Sequence, residues 1–164
     1  MNNQHLNEKK SRLSVDYFEK MHIIKNRKED EVAIMLIQFN FKNFRSFREE
    51  VTLDLSATKM TEFSERVVTI GSEKILPVAA IYGANASGKS NIYSAFEYMA
   101  EYVVDSFKYG DEEEKFEEYR PTPFLFDSTS ADAESSFEVY FTIPGDKNER
   151  TYNYGFCVDQ EGVT

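Results

Sequence analysis

The fold of this chain is decided by a short glycine-containing stretch, Gly83-Ala84-Asn85-Ala86-Ser87-Gly88-Lys89-Ser90. The stretch fits the pattern G-x-x-x-x-G-K-[S/T], in which a loop between a strand and a helix holds phosphate groups. The apolar run before it, residues 78–82 (VAAIY), predicts a buried strand. After it, apolar residues recur at helical spacing: Ile92, Ala95, Phe96, Met99 and Val103. The sequence therefore predicts a strand, a phosphate loop and a helix in that order.

Each defining residue of the pattern has a chemical role. Gly83 lets the chain leave the strand sharply, and Gly88 lets the backbone approach a phosphate without a side chain in between. Successive N–H groups of the loop and the N-terminus of the helix both attract an anion. We expect Lys89 to reach the β- and γ-phosphates of ATP and the Ser90 hydroxyl to bind Mg²⁺. The predicted nucleotide-binding residues of this segment are Gly83, Ala84, Asn85, Ala86, Ser87, Gly88, Lys89, Ser90 and Asn91. The alternative is a glycine-rich strand-to-helix turn with a solvated lysine.

Length and composition limit the classes of protein. The chain has 164 residues, which is one domain at most or part of a larger one. A net charge of −10 argues against a broad basic surface that grips nucleic acid. The single cysteine, Cys157, excludes an internal disulfide. No apolar run approaches 18 residues and the N-terminus lacks a signal-peptide core, so we expect a cytoplasmic protein without a membrane span.

The remaining pattern divides the chain into two regions. Residues 1–34 are polar with mixed charge, and we interpret them as an N-terminal extension of unknown role. From Met35 onward, alternating apolar residues predict one β-hairpin over residues 37–55 and a second over residues 137–158, with a short strand near residues 67–70. The acidic run at residues 111–118 is typical of a solvated loop or helix surface.

Hydrolysis of a nucleotide needs more than a phosphate loop. It needs a carboxylate at the end of an apolar strand to hold Mg²⁺, and a group that orients the attacking water. Asp127 follows the short run Phe124-Leu125-Phe126, but the nearby Pro121 and Pro123 argue against that role. We therefore expect the chain to stop before the second half of its domain. Residues 1–164 alone are expected to bind nucleotide weakly and to hydrolyse it negligibly.

Several segments in order resemble the start of an ABC-type ATPase head of the SMC/RecF-like class. The nearest group is the AAA-family ATPases of the AAA15 type, which are related to the overcoming-lysogenization-defect and abortive-infection proteins. The segments are MLIQFNFKNFRSF (35–47), IYGANASGKSN (81–91), PTPFLFD (121–127), FEVYF (137–141) and YNYGF (152–156). The resemblance covers residues 35–164, as the N-terminal part of such a head.

The resemblance implies an α/β P-loop NTPase fold with an antiparallel β subdomain in its N-terminal lobe. It also implies that ATP lies between two heads, each loop being completed by a signature serine motif from the opposite head. Arg45, in the Asn-Phe-Arg-Ser segment, is then expected near the phosphates or the base; the alternative is a surface arginine in a turn. The Walker B carboxylates, the signature motif and the switch histidine of such heads have no match here, and the Q-loop glutamine is unplaced because Gln160 has an unclear context.

Three functions remain open at this point. The first is ATP binding, with hydrolysis coupled to homodimerisation of heads in the complete protein, in DNA repair or antiphage defence. A nuclease or other effector subunit and DNA held by missing parts are its expected partners. The second is a small P-loop kinase or nucleotide transferase, although arginines for a lid are sparse after the loop. The third is a non-catalytic nucleotide-binding interaction module.

Overall fold

The computed structural model describes residues 34–57, 62–109, 120–159 and 162, which fall within one compact unit, Ile34–Thr164. The elements in chain order are β1 (Met35–Lys42), β2 (Val51–Asp54), a 3₁₀ turn (Ser64–Arg66), β3 (Val68–Ile70), β4 (Glu73–Ile75), α1 (Lys89–Tyr109), α2 (Ser128–Ala131), β5 (Ser135–Thr142) and β6 (Thr151–Val158). Two antiparallel hairpins join in a four-stranded sheet of order β2-β1-β5-β6, and α1 packs on one face of it. Both predicted hairpins are confirmed, since β1 pairs with β2 and β5 pairs with β6. The predicted extension, apart from Ile34, and the whole acidic run at residues 111–118 lie outside the described residues.

The core lies between the sheet and α1. Alternating strand residues point to one face, and the buried set is rich in phenylalanine: Phe39, Phe41, Phe44, Phe137 and Phe156. From the helix side, Ala95 and Met99 are fully covered, as the helical spacing predicts. Val103 departs from that prediction and is exposed. Apolar burial of this kind contributes roughly 25 cal/mol per Å² of surface removed from water, so the buried aromatic cluster stabilises the fold.

The other face of the sheet is polar. Its centre is Glu138, whose carboxylate accepts hydrogen bonds from Asn153, Asn40 and Tyr140. The bond from Asn153 and then the bond from Asn40 lower the pKa of Glu138. The alternation of apolar and polar residues from Ile37 to Lys42 and in β5 follows from this arrangement, because one face of the sheet meets α1 and the other meets solvent.

The prediction of a buried strand before the phosphate loop is wrong for the described structure. Residues 76–84 are not in a strand, and residues 78–82 are exposed, with Val78 at 78% and Tyr82 at 89%. An apolar run shows that side chains favour burial, but a strand also needs neighbours for its N–H and C=O groups. The strands of the described chain pair among themselves in two sheets and none of them borders this segment.

A short hairpin of β3 and β4 was only half predicted. The sequence indicated β3, and the turn at Gly71 (φ 59°) reverses the chain into β4. The hairpin lies beside β2, since Ala57 N–H donates to the Lys74 carbonyl and Leu76 N–H donates to the Leu55 carbonyl. Strands of three residues are too short for a periodic signal, which is why β4 escaped the sequence analysis.

Asp127 has a structural role as the N-cap of α2. Its carboxylate accepts hydrogen bonds from the hydroxyl and N–H of Thr129 and from the N–H and hydroxyl of Ser130, and Arg48 Nε lies 3.4 Å away. The side-chain bond from Thr129, followed by the backbone bond from Ser130, lowers the pKa of Asp127 to about 2. This geometry gives the Asp127 carboxylate a structural role, and the expectation that it does not bind the metal stays a prediction.

The cap predicts an acid-dependent loss of stability. Because the pKa of Asp127 is depressed in the folded state, its stabilisation is present above its ordinary pKa near 4 and is lost as the pH falls toward 2. We expect Asp127→Ala to lower the melting temperature at pH 7, and the difference from wild type to narrow between pH 4 and pH 2. Thermal unfolding followed by circular dichroism across this pH range measures the difference in melting temperature. Glu62→Ala, which removes a carboxylate at an exposed position, is the control. A difference that does not change with pH would contradict the assignment.

Candidate phosphate-binding site

The predicted phosphate loop is an exposed turn that leads directly into α1. Ser87 N–H donates to the Ala84 carbonyl at 3.3 Å, and Asn91 N–H donates to the Gly88 carbonyl at 2.8 Å, where the helix begins. Ala86 (φ 61°) and Gly88 (φ 88°) are left-handed, with Ser87 between them. Alternation of right- and left-handed residues turns successive N–H groups toward one side and so forms an anion-binding concavity.

The Lys89 side chain lies on this loop. Its ammonium donates to the carbonyl of Gly83 at 2.9 Å and to the carbonyl of Ala84 at 2.6 Å. Although Lys89 is the first residue of α1, its ammonium therefore lies at the other end of the loop, where the loop begins. The loop folds closely over Gly83, where a Cβ would lie 2.9 Å from Ser87 Oγ unless that side chain moved.

The turn after β1 contacts the C-terminal end of the loop, at Gly88. A Cβ at Gly88 would lie 2.7 Å from Ser46 Oγ and 2.9 Å from the Phe47 ring. The Asn91 side-chain amide, from the first turn of α1, donates to Ser46 Oγ at 2.8 Å. Sequence analysis did not find this contact, because residues 46 and 91 are distant in the chain and no motif links them.

Arg45 lies in the same turn but reaches along α1. Its backbone is left-handed (φ 50°), its guanidinium donates to Ser94 Oγ at 2.9 Å, and the guanidinium lies 5.2 Å from the centre of the Phe44 ring.

A cavity of about 130 Å³ opens beside Arg45, between the turn and the helix. Its lining includes Ser94, Glu97, Tyr98, Glu101 and Thr122. The Tyr98 hydroxyl is buried, and burial raises its pKa above the usual range, so it stays neutral. A nucleotide contact by Arg45 stays a prediction.

Comparison with known proteins decides the family. The family model described as "AAA domain, putative AbiEii toxin, Type IV TA system" matches residues 78–163, which are just over half of the chain. The chain belongs to this AAA domain family. Neither the curated proteins nor the solved structures gave a match.

Membership of the AAA domain family agrees with the loop geometry. The matched segment contains the phosphate loop, α1 and the hairpin of β5 and β6. The chain therefore has a P-loop NTPase-like fold of the mixed α/β type with an antiparallel sheet, and its function is of the nucleotide-binding, ATPase type. Within the described residues, no helix is long and apolar enough to cross a membrane.

A nucleotide with Mg²⁺ fits the donors of this AAA domain. The Lys89 ammonium and the open backbone of Gly88 supply positive charge and close approach for phosphate. Ser90, the second residue of α1, is exposed, so its hydroxyl is accessible to a metal ion. In the described part of the chain, no group of three histidine, cysteine or acidic residues has the placement of a metal site. Magnesium commonly takes few protein ligands and completes its shell with phosphate and water.

A buried asparagine, Asn43, fixes the turn that contacts the loop. It is 2% exposed, and its side-chain amide donates to the carbonyls of Ser130, Ala133 and Glu134 at 2.9–3.2 Å. Its side-chain oxygen accepts from Phe124 N–H at 3.0 Å. Its backbone is left-handed (φ 53°), a conformation that asparagine tolerates better than most residues. In the sequence, Asn43 is a polar residue in the connection between the two predicted strands of the first hairpin. No pattern there predicts that its side chain is buried.

Proposed function

We propose that this AAA domain binds ATP with Mg²⁺ at residues 83–91, as the N-terminal lobe of an ABC-type head of the SMC/RecF-like class. The observation that carries the proposal is the position of the Lys89 ammonium, which lies on the carbonyls of Gly83 and Ala84 at the start of α1. Positive charge from the lysine, the loop N–H groups and the N-terminus of the helix is thus concentrated at one place. This concentration of positive charge is local, in a chain whose net charge is −10.

Phosphate is a better partner for Lys89 than the loop carbonyls are. A hydrogen bond from an ammonium to phosphate is assisted by opposite charge, whereas the carbonyls of Gly83 and Ala84 are neutral. Binding of ATP therefore exchanges two charge–dipole contacts for stronger charge–charge contacts. Lys89 then moves from the loop to the β- and γ-phosphates.

Hydrolysis belongs to the assembled protein in this proposal. A second head supplies the groups that orient water and stabilise the γ-phosphate, so ATP is held between two copies. The proposed biological role is DNA repair or antiphage defence, and the latter is favoured by the AbiEii toxin in the family description. A nuclease or other effector and DNA bound by other parts of the assembly are its proposed partners.

Titration of a fluorescent ATP analogue into the wild-type protein with Mg²⁺ tests the nucleotide site. We expect saturable binding that unlabelled ATP displaces, because the loop recognises phosphates rather than the fluorophore. Binding that does not saturate, or that ATP fails to displace, would overturn the proposal. Hydrolysis measured on the assembled heads then separates an ATPase from a module that only binds.

Ser90→Ala is expected to weaken binding of the analogue about tenfold in Mg²⁺ and to leave binding in EDTA nearly unchanged. The reason is that the hydroxyl acts through the metal, and loss of one ligand of about 1–2 kcal/mol corresponds to that factor. Ser72→Ala, at an exposed turn between β3 and β4, is the matched control and should change neither affinity. An equal loss in Mg²⁺ and in EDTA would give Ser90 a different role.

A further inference from the structure

The turn of residues 43–47 and the phosphate loop are joined by a side-chain hydrogen bond that we call the clasp. It runs from the Asn91 side-chain amide to Ser46 Oγ, with a length of 2.8 Å. Directly beside it, the Cα of Gly88 faces Ser46 Oγ and the Phe47 ring with no room for a Cβ. The clasp thus connects the turn after β1 to the first turn of α1, directly beside Gly88.

We propose that Ser46 is a positioning residue for nucleotide binding, which acts through the clasp with Asn91. In this role Ser46 does not touch the nucleotide; it holds Gly88 and the first turn of α1 in the conformation that receives the phosphates. The inference rests on the proposed ATP site, and it adds a residue that the phosphate-loop pattern does not contain.

The turn that carries Ser46 is held by backbone hydrogen bonds and by packing against the core. Phe44 is buried, its N–H donates to the Phe47 carbonyl at 2.8 Å, and Phe47 N–H donates back at 2.9 Å. Arg45 N–H donates to the Thr122 carbonyl, and the Phe47 ring packs at 5.3 Å from the ring of Phe41 in the core. Ser46 is itself exposed but lies between Phe44 and Phe47, which anchor its turn to the core.

The clasp gains importance when a nucleotide binds. Without nucleotide, Lys89 ties the loop together through the carbonyls of Gly83 and Ala84. When the ammonium turns to phosphate, these two bonds are given up, while the clasp from Asn91 to Ser46 does not have to change. The loop then depends on the clasp to keep its N–H groups aligned with the phosphates, and misalignment weakens every one of those contacts together.

A double-mutant cycle tests the proposal on the full chain, with the fluorescent ATP analogue in Mg²⁺. We expect Ser46→Ala and Asn91→Ala each to raise the Kd about tenfold, and the double mutant to bind no more weakly than the weaker single mutant. Ser46→Thr keeps the hydroxyl at an exposed position and should stay within about threefold of wild type. Melting temperatures should remain within about 2 °C of wild type, because Ser46 is exposed and buries little surface.

The outcomes separate this inference from the proposed function. Losses that multiply to about a hundredfold in the double mutant would show two independent contributions and overturn the clasp. An unchanged Kd for Ser46→Ala, or a loss that Ser46→Thr fails to recover, would overturn it as well. In these cases the wild type still binds and the proposed function stands; a wild type that does not bind overturns both.

Discussion

Replacing Lys89 with alanine should weaken ATP binding about a hundredfold or more. The ammonium already lies on the loop, 2.9 Å from the Gly83 carbonyl, and needs only to turn toward the β- and γ-phosphates. Two charge-assisted hydrogen bonds of about 1.5–3 kcal/mol each are lost, which corresponds to at least about 3 kcal/mol or a factor of ~100 in Kd. Titration of a fluorescent ATP analogue against wild type and Lys89→Ala measures the effect.

The matched control is Lys147→Ala. Lys147 is exposed in the turn between β5 and β6, and the pairing of β1 with β5 places that turn at the end of the sheet opposite residues 43–47. The same charge is removed there, so a general electrostatic effect would appear in both variants. Equal affinities of wild type and Lys89→Ala would remove the basis for the ATP site.

Asn43→Asp is expected to destabilise the domain by roughly 3 kcal/mol or more. The substitution keeps the shape of the side chain but replaces an amide that donates to three carbonyls with a carboxylate that repels them. An unpaired buried polar group costs about 1–3 kcal/mol, and a buried charge costs more unless its pKa rises and it becomes neutral. For a domain of this size the melting temperature should fall by on the order of 10 °C.

Thermal unfolding of Asn43→Asp is best compared with that of Asn148→Asp. Asn148 is exposed in the turn between β5 and β6, so the same chemical change there should shift the melting temperature little. Lowering the pH should partly restore the melting temperature of Asn43→Asp, because a protonated carboxyl can donate one hydrogen bond. A melting temperature equal to that of wild type at pH 7 would mean that the contacts of Asn43 carry little of the stability.

The two hairpins and α1 were predictable because their signals are local. The signal is the alternation of apolar residues in β1 and β5 and their helical spacing from Ile92 to Met99. Each of these patterns arises within a single segment, because one side of that segment meets the core. The phosphate-loop pattern is local as well, since Gly83, Gly88 and Lys89 interact with one another. Its assignment therefore did not depend on knowing the rest of the fold.

The segment before the loop shows where local signals fail. Residues 78–82 have the composition of a buried strand, yet they are exposed because no strand of the described chain pairs with them. Pairing is a property of two segments, and the sequence of one segment does not contain it. Pairing also defines β4, which is too short for a periodic signal but pairs with β3 and accepts a hydrogen bond from Ala57 N–H at the Lys74 carbonyl.

By itself, the sequence determined the phosphate loop, the residues that bear its charge, the helix behind it and the two hairpins. Only the tertiary structure decided that β1 pairs with β5, that Asn43 is buried against carbonyls up to 91 residues away, and that Ser46 meets Gly88 and Asn91. Periodicity and motifs reflect interactions between residues close in the chain. The support of the loop comes from residues 45 positions apart, whose meeting depends on how the whole core packs.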